Sequence, residues 1–309
     1  MQGGALPREY TLRSADGVRV AVHRLEGAGS RTAGSPLLLV AGTFNGRHFW
    51  SPRGEEGFGH FLAARGHDVW MLDPRGHGSS ERPPRWRLTD WIEQDAPAAV
   101  EAVLEISGAE GVGWVGHSAG GVVGAAFAGS GHPTARRLDR LVLLGTPGPG
   151  VLAGRRRWLA RLFRMVAALR RGSLLPGEVL RLGPEAESAD LVEQWLRWNL
   201  SGAWVGADGA DYLDRLEDVR APVLAVAGSA DALLAPEPAV RDLLDRFGSP
   251  RKSLLIAGRQ GGMSRDYNHG SLVLARAARE EVWPRIASWL YPTDLEPEAR
   301  APESSLKSS

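Results

Sequence analysis

Six short apolar runs, separated by stretches of helical periodicity, constrain this fold more than any other feature of the chain. The first, Pro36-Leu37-Leu38-Leu39-Val40-Ala41, is too short for most helices and stops at Gly42. A strand covered on both faces of a parallel sheet looks like this, because neither face meets water. Similar runs recur at 67–72, 113–115, 138–144, 222–227 and 253–256. Between them lie helical patterns at 58–65, ending before Gly66, at 97–106, at 122–128, at 238–247 and at 275–290. Asp95 reads as an N-cap for the second of these, with Pro97 in its first turn. The alternation predicts an α/β fold with a doubly wound, mostly parallel sheet, right-handed crossovers and helices on both faces. Ahead of it, 9–13 and 18–24 read as a hairpin turned at Asp16-Gly17.

The alternation lapses between about Gly150 and Asp218, where only helix-like segments rich in Arg, Leu and Trp appear. The expected division is therefore a core over 1–148, an inserted helical cap over 149–218 and the rest of the core over 219–291. Residues 292–309, rich in Pro, Glu, Ser and Ala, read as a disordered tail. Inside the insertion, seven arginines and no acid lie between Arg155 and Arg171. Trp158, Leu159, Leu162, Phe163, Val166 and Leu169 recur there at helical spacing, opposite Arg157, Arg161, Arg164 and Arg171. We expect this helix to pack its apolar face on the core and solvate its arginines. The alternative is weak contact with a membrane surface of anionic lipid, or attraction of an acidic acyl substrate.

Composition removes several classes of function. A net charge of +1 provides no field for nucleic acid, and the absence of cysteine excludes disulfides, thiolate metal sites and a cysteine nucleophile. Histidines and carboxylates do not cluster at ligand spacing, so neither a metal nor an organic cofactor is implied. The amino terminus lacks a basic segment followed by an apolar core, and no run of about 18 apolar residues occurs. The expected location is cytoplasmic.

Chemistry concentrates at Trp114-Val115-Gly116-His117-Ser118-Ala119-Gly120-Gly121, which reads as strand, sharp turn and helix. A residue at such a turn projects from the carboxyl edge of a sheet, which makes Ser118 the candidate nucleophile. With 39 glycines in the chain, a bare G-x-S-x-G means little without its partners. A serine hydroxyl needs a base to take its proton, and the base needs an acid to fix its tautomer. Asp231 stands in the loop after the run at 222–227, and His269 after the last run. The other histidines precede any plausible acid loop. Asp208, Asp211, Asp214 and Asp218 remain nearby alternatives for the acid, and Asp266 could hydrogen-bond near the histidine.

The order Ser, acid, His is that of the α/β-hydrolase fold, and over roughly 8–291 the chain resembles a serine hydrolase of that family. Asp73-Pro74-Arg75-Gly76-His77-Gly78-Ser79-Ser80 resembles a D-x-R-G-H-G-x-S segment common there, and Arg75 and His77 are read as holding that loop. The ending from Tyr267-Asn268-His269-Gly270 to Val282-Trp283-Pro284 is similar to acid-lipase and polyhydroxyalkanoate-synthase-like members. Those synthases use cysteine, so Ser118 favours the hydrolytic relatives. An aspartate nucleophile, as in haloalkane dehalogenases and epoxide hydrolases, is disfavoured for the same reason.

The resemblance implies an oxyanion hole made by the Ala119 N–H and one from the loop 41–46. Where the family usually has His-Gly this chain has Ala41-Gly42, so the second donor is Thr43, or Phe44. Phe44, His117, Trp158, Phe163, Trp195 and Trp198 are candidates for lining a substrate pocket. The implied reaction is cleavage of a carboxylic ester with an apolar acyl chain, through an acyl-enzyme on Ser118. Acyl transfer or thioester cleavage by the same triad is the alternative, followed by a non-catalytic binding module.

Overall fold

The computed structural model describes residues 7–25, 34–52, 57–149, 151, 155–180 and 182–291. The expected tail at 292–309 lies outside the described residues. Strands β1 (Arg8–Arg13) and β2 (Arg19–Leu25) form the expected hairpin, turned by Gly17 at φ 87°. There follow β3 (Leu37–Val40), α1 (Phe58–Ala63) and β4 (Val69–Asp73), all with the predicted burial. The next helix does not start at Asp95. It begins as α2 (Leu88–Asp90), widens into a π turn over Trp91–Asp95 and continues as α3 (Ala96–Ser107). Pro97 has no N–H for the ordinary ladder, and the π turn absorbs the mismatch by bonding the Ala96 N–H to the Trp91 carbonyl. Asp95 is therefore helical and buried, and Arg75 takes its carboxylate through the backbone N–H (2.9 Å) and Nε (2.8 Å).

Strand β5 (Val112–His117) leads into α4 (Ala119–Ala128), and β6 (Leu138–Leu144) closes the first half. The segment 149–218, expected as an inserted cap, contributes α5 (Arg155–Leu169), β7 (Leu174–Pro176), α6 (Gly177–Leu180), β8 (Ala186–Ser188) and α7 (Ala189–Ser201). The antiparallel β7–β8 pair was not expected, since three residues a side leave no readable period. The core resumes with β9 (Val223–Gly228), α8 (Glu237–Arg246), β10 (Lys252–Ala257) and α9 (Ser271–Leu274). The last helical stretch is split into α10 (Ala278–Glu281) and α11 (Trp283–Leu290), because Pro284 fits only a first turn.

The sheet runs β1-β2-β4-β3-β5-β6-β9-β10, parallel from β4 to β10. Alternate residues feed two cores: Leu38, Val40, Trp70 and Trp114 face one way, Leu37, Leu39, Met71 and Val115 the other. The consequence for function is positional. Strand β5 is central, and the loops after β3, β5, β6, β9 and β10 all open at one edge.

Candidate active site

Ser118 occupies a backbone conformation (φ 53°, ψ −121°) that ordinary side chains avoid. The glycines around it explain how it is reached. A Cβ on Gly116 would lie 2.4 Å from the Gly120 carbonyl, and one on Gly120 would lie 2.1 Å from that of Val40. Without side chains there, α4 can begin directly against the strands. The Ser118 N–H donates to the Leu144 carbonyl at 2.9 Å, fixing the turn to β6. Gly42 closes the other side, where a Cβ would sit 2.9 Å from that of Ser118.

Two further loops bring His269 and Asp231, the candidate base and acid, to the same edge. His269 Nδ1 donates to Asp231 Oδ2 at 2.6 Å, and the Leu234 N–H donates to Oδ1 at 3.0 Å. Burial pushes the Asp231 carboxyl up, but the His269 hydrogen bond and charge outweigh it and hold the group below the usual carboxylate range. Asp231 thus stands as an anion on the imidazole. Asp211, one of the alternatives for the acid, instead caps a 3₁₀ turn through the Leu213 N–H. Asp266 does not bond the histidine. It accepts from Ser229 Oγ (2.8 Å) and the Arg259 N–H (3.0 Å), tying the loop of Asp231 to the loop of His269.

His117 is not exposed to a pocket. It is buried, stacked on Phe49 with centroids 4.6 Å apart, and bonded through Nε2 to the His269 carbonyl at 3.0 Å. Burial and then the nearby His269 push its pKa down to about 3, so the ring is neutral and its Nε2 is the donor. Of the other pocket candidates, Trp198 is core, packed on Trp204, and Trp195 packs partly buried against the same cluster. Trp158 (64% exposed) and Phe163 (62%) face outward. Phe44 is buried beside Ser118's loop, in a left-handed conformation with φ 62°.

The insertion helix α5 also differs from expectation. Among its described side chains Ala160 and Ala167 are buried, while Trp158, Leu159, Leu162, Phe163, Val166 and Leu169 are exposed. The stripe against α7 carries arginines as well: Arg164 pairs with Glu193 (2.9 Å) and Arg157 with the Leu200 carbonyl (3.0 Å). The physical reason is that α7 offers a carboxylate and a helix C-terminus, and small residues let the two helices close on them.

A model of the alpha/beta hydrolase fold family matches residues 35–272. The chain belongs to the alpha/beta hydrolase fold family. It is an α/β-hydrolase enzyme. A provisionally named carbamate hydrolase, RutD, of Azorhizobium caulinodans is 30% identical over 217 residues, 65% of this chain and 76% of its own. Among solved structures, a soluble variant of monoglyceride lipase from Saccharomyces cerevisiae superposes with a TM-score of 0.68 at 13% identity, covering 93% of this chain and 95% of its own. An esterase from Exiguobacterium antarcticum gives 0.61 at 15%, covering 91% and 99%. At these identities the structural likeness carries the fold alone.

Within this hydrolase, sequence reasoning missed two contributors to the site. Gly145, with φ 53°, lies against His269, where a Cβ would stand 3.2 Å from its Nδ1. Glu187, from the insertion, reaches Phe44. The glycine at the end of β6 was visible as a strand stop. For Glu187 no local pattern exists. Among the described residues no helix is long and apolar enough to cross a membrane.

Proposed function

We propose that this hydrolase cleaves a small carboxylic ester through an acyl-enzyme on Ser118. The observation that carries the reading is the 2.6 Å His269–Asp231 pair at the edge where Ser118 stands on its strained turn. In this mechanism His269 Nε2 takes the Ser118 proton as Oγ attacks the carbonyl, and Asp231 steadies the imidazolium. The first amide of α4, Ala119, donates to the oxyanion. Thr43 is the favoured second donor, since the Phe44 N–H already donates to Glu187 Oε2. His269 then protonates the leaving alcohol, and water releases the acid by the same path in reverse.

The 30% identical relative supports adding carbamates to the substrate panel. A p-nitrophenyl ester series from acetyl to long chain, with thioesters and carbamates, tests wild type against Ser118→Ala. We expect a loss of at least about 1,000-fold in kcat for that variant, with fluorophosphonate labelling abolished. Comparable turnover by both proteins would remove Ser118 from the mechanism. Added alcohol or amine acceptors separate hydrolysis from acyl transfer by their products.

The insertion is read as a cap whose exposed face gives the apolar preference. Leu233, Leu234 and Leu274, exposed near Asp231 and His269, favour an apolar acyl chain. The outward Trp158, Phe163 and Leu169, with Arg161, Arg170 and Arg171 lacking carboxylate partners among the described residues, support weak contact with anionic lipid. A second copy is disfavoured as the occupant, because two arginine-rich helices repel. Vesicle cosedimentation tests this contact. A cytoplasmic location accords with the same reading, and fractionation of cells producing the native chain tests it.

A further inference from the structure

Phe44 is held from the insertion by both of its backbone groups. Its N–H donates to Glu187 Oε2 (3.3 Å), and its carbonyl accepts from the Glu185 N–H (3.1 Å). Two glycines bring the insertion this close: a Cβ on Gly183 would stand 2.3 Å from the Phe44 oxygen, and one on Gly177 would stand 2.9 Å from its ring. A bulky residue at φ 62° persists only where its surroundings hold it. Here the hold comes from a segment 143 positions away.

Glu187 is itself fixed by donors alone. Oε1 accepts from Trp86 Nε1 (2.8 Å) and the Ser188 N–H (2.9 Å), and Oε2 lies 3.3 Å from His77 Nε2. That last contact is not aligned as a hydrogen bond, so its attraction is mainly coulombic. Both His77 nitrogens face oxygens, since Nδ1 lies 3.3 Å from the Arg75 carbonyl. Burial would lower the His77 pKa, but the Glu187 and Glu185 carboxylates outweigh it and hold the ring above the usual histidine range. A carboxylate offers acceptors on both oxygens and no N–H of its own. A glutamine would turn its amide donors either on Trp86 and Ser188 or on Phe44 and His77.

We propose that Glu187 is a positioning residue: by holding the Phe44 N–H in a buried carboxylate it sets the turn that aims the Thr43 N–H at the oxyanion on Ser118. The proposal rests on the acyl-enzyme reading above. Gly42 links the two, because it abuts Ser118 on one side and carries Thr43 on the other. His77 then stands against the buried Glu187 carboxylate, and the D-x-R-G-H-G-x-S loop serves the oxyanion hole through the 149–218 segment.

The test uses the full chain with Glu187→Gln, Glu187→Asp and Gly183→Ala. The last pushes on the Phe44 carbonyl without touching the buried charge. Four quantities are read: kcat and KM on p-nitrophenyl butyrate, affinity for an aryl trifluoromethyl ketone, amide exchange over residues 42–47, and Tm. We expect Glu187→Gln and Gly183→Ala to lower kcat by about tenfold or more with KM changed less than about twofold. Ketone affinity, which needs the oxyanion donors, should fall by the same factor, and the Phe44 amide should exchange faster. Glu187→Asp, which keeps the charge, should lie between. Wild-type kcat and ketone affinity in folded Glu187→Gln and Gly183→Ala would overturn the proposal, as would losses that track only the folded fraction. Unchanged exchange at Phe44 overturns this inference alone, whereas a Ser118→Ala protein as active as wild type overturns the acyl-enzyme reading beneath it.

Discussion

At Ser118 and Phe44 the backbone enters left-handed territory that costs about 1–3 kcal/mol at each position. These are the two non-glycine residues with positive φ among the described residues, and both border the same edge of β3 and β5. Ser118 was legible because its constraint is local: glycines two positions either side announce a tight turn. Phe44 was not, since nothing in Thr43-Phe44-Asn45 demands positive φ. His117 shows the same limit from another side. Its identity is plain beside Ser118, but its partner is a carbonyl 152 positions away. Removing that bond by His117→Phe, which keeps the stacking on Phe49, should cost about 1 kcal/mol in urea unfolding. It should also lower kcat by about tenfold as His269 loses its backstop. A variant with wild-type kcat would show that the 3.0 Å bond does not position the base.

The elements divide by how they meet their neighbours. Strands β3, β4, β5, β6 and β9 were readable because burial on both faces leaves a continuous apolar run, and β10 at the sheet edge by its apolar core alone. Helix α5 carried as clear a pattern, yet its apolar side chains are exposed and only Ala160 and Ala167 among its described side chains are buried. Periodicity separates two faces of a helix without saying which one is covered. That is decided by Glu193 and the end of α7, which pair with Arg164 and Arg157 while Ala160 and Ala167 permit the approach. Ala167→Leu should therefore destabilise by about 1–3 kcal/mol through overpacking. The double variant Trp158→Ser, Phe163→Ser should stay within about 0.5 kcal/mol of wild type, as exposed positions do. Denaturant midpoints giving the reverse order would mean that α5 buries the face its apolar residues suggest.

Over the whole molecule the charges nearly cancel, at +1, yet seven arginines without an acid sit between Arg155 and Arg171. A near-neutral protein with one basic, aromatic patch should meet an anionic surface in one orientation. We expect cosedimentation with phosphatidylglycerol vesicles and little with phosphatidylcholine, lost in about 0.5 M salt as the Debye length shrinks. The Trp158→Ser, Phe163→Ser protein should bind more weakly even at low salt; equal pelleting with both lipids would sink the idea.

The sequence by itself determined the fold class, the α/β alternation that builds the mostly parallel sheet, and the strand-to-helix turn at Ser118. Each of these is recorded in local periodicity, turn residues or chain order. Only the tertiary structure decided that the apolar side chains of α5 stay exposed, that His117 bonds the His269 carbonyl, and that Glu187 bonds the Phe44 N–H. Those outcomes depend on which buried donor meets which acceptor across space, and a one-dimensional pattern records how often a position is covered, never by what.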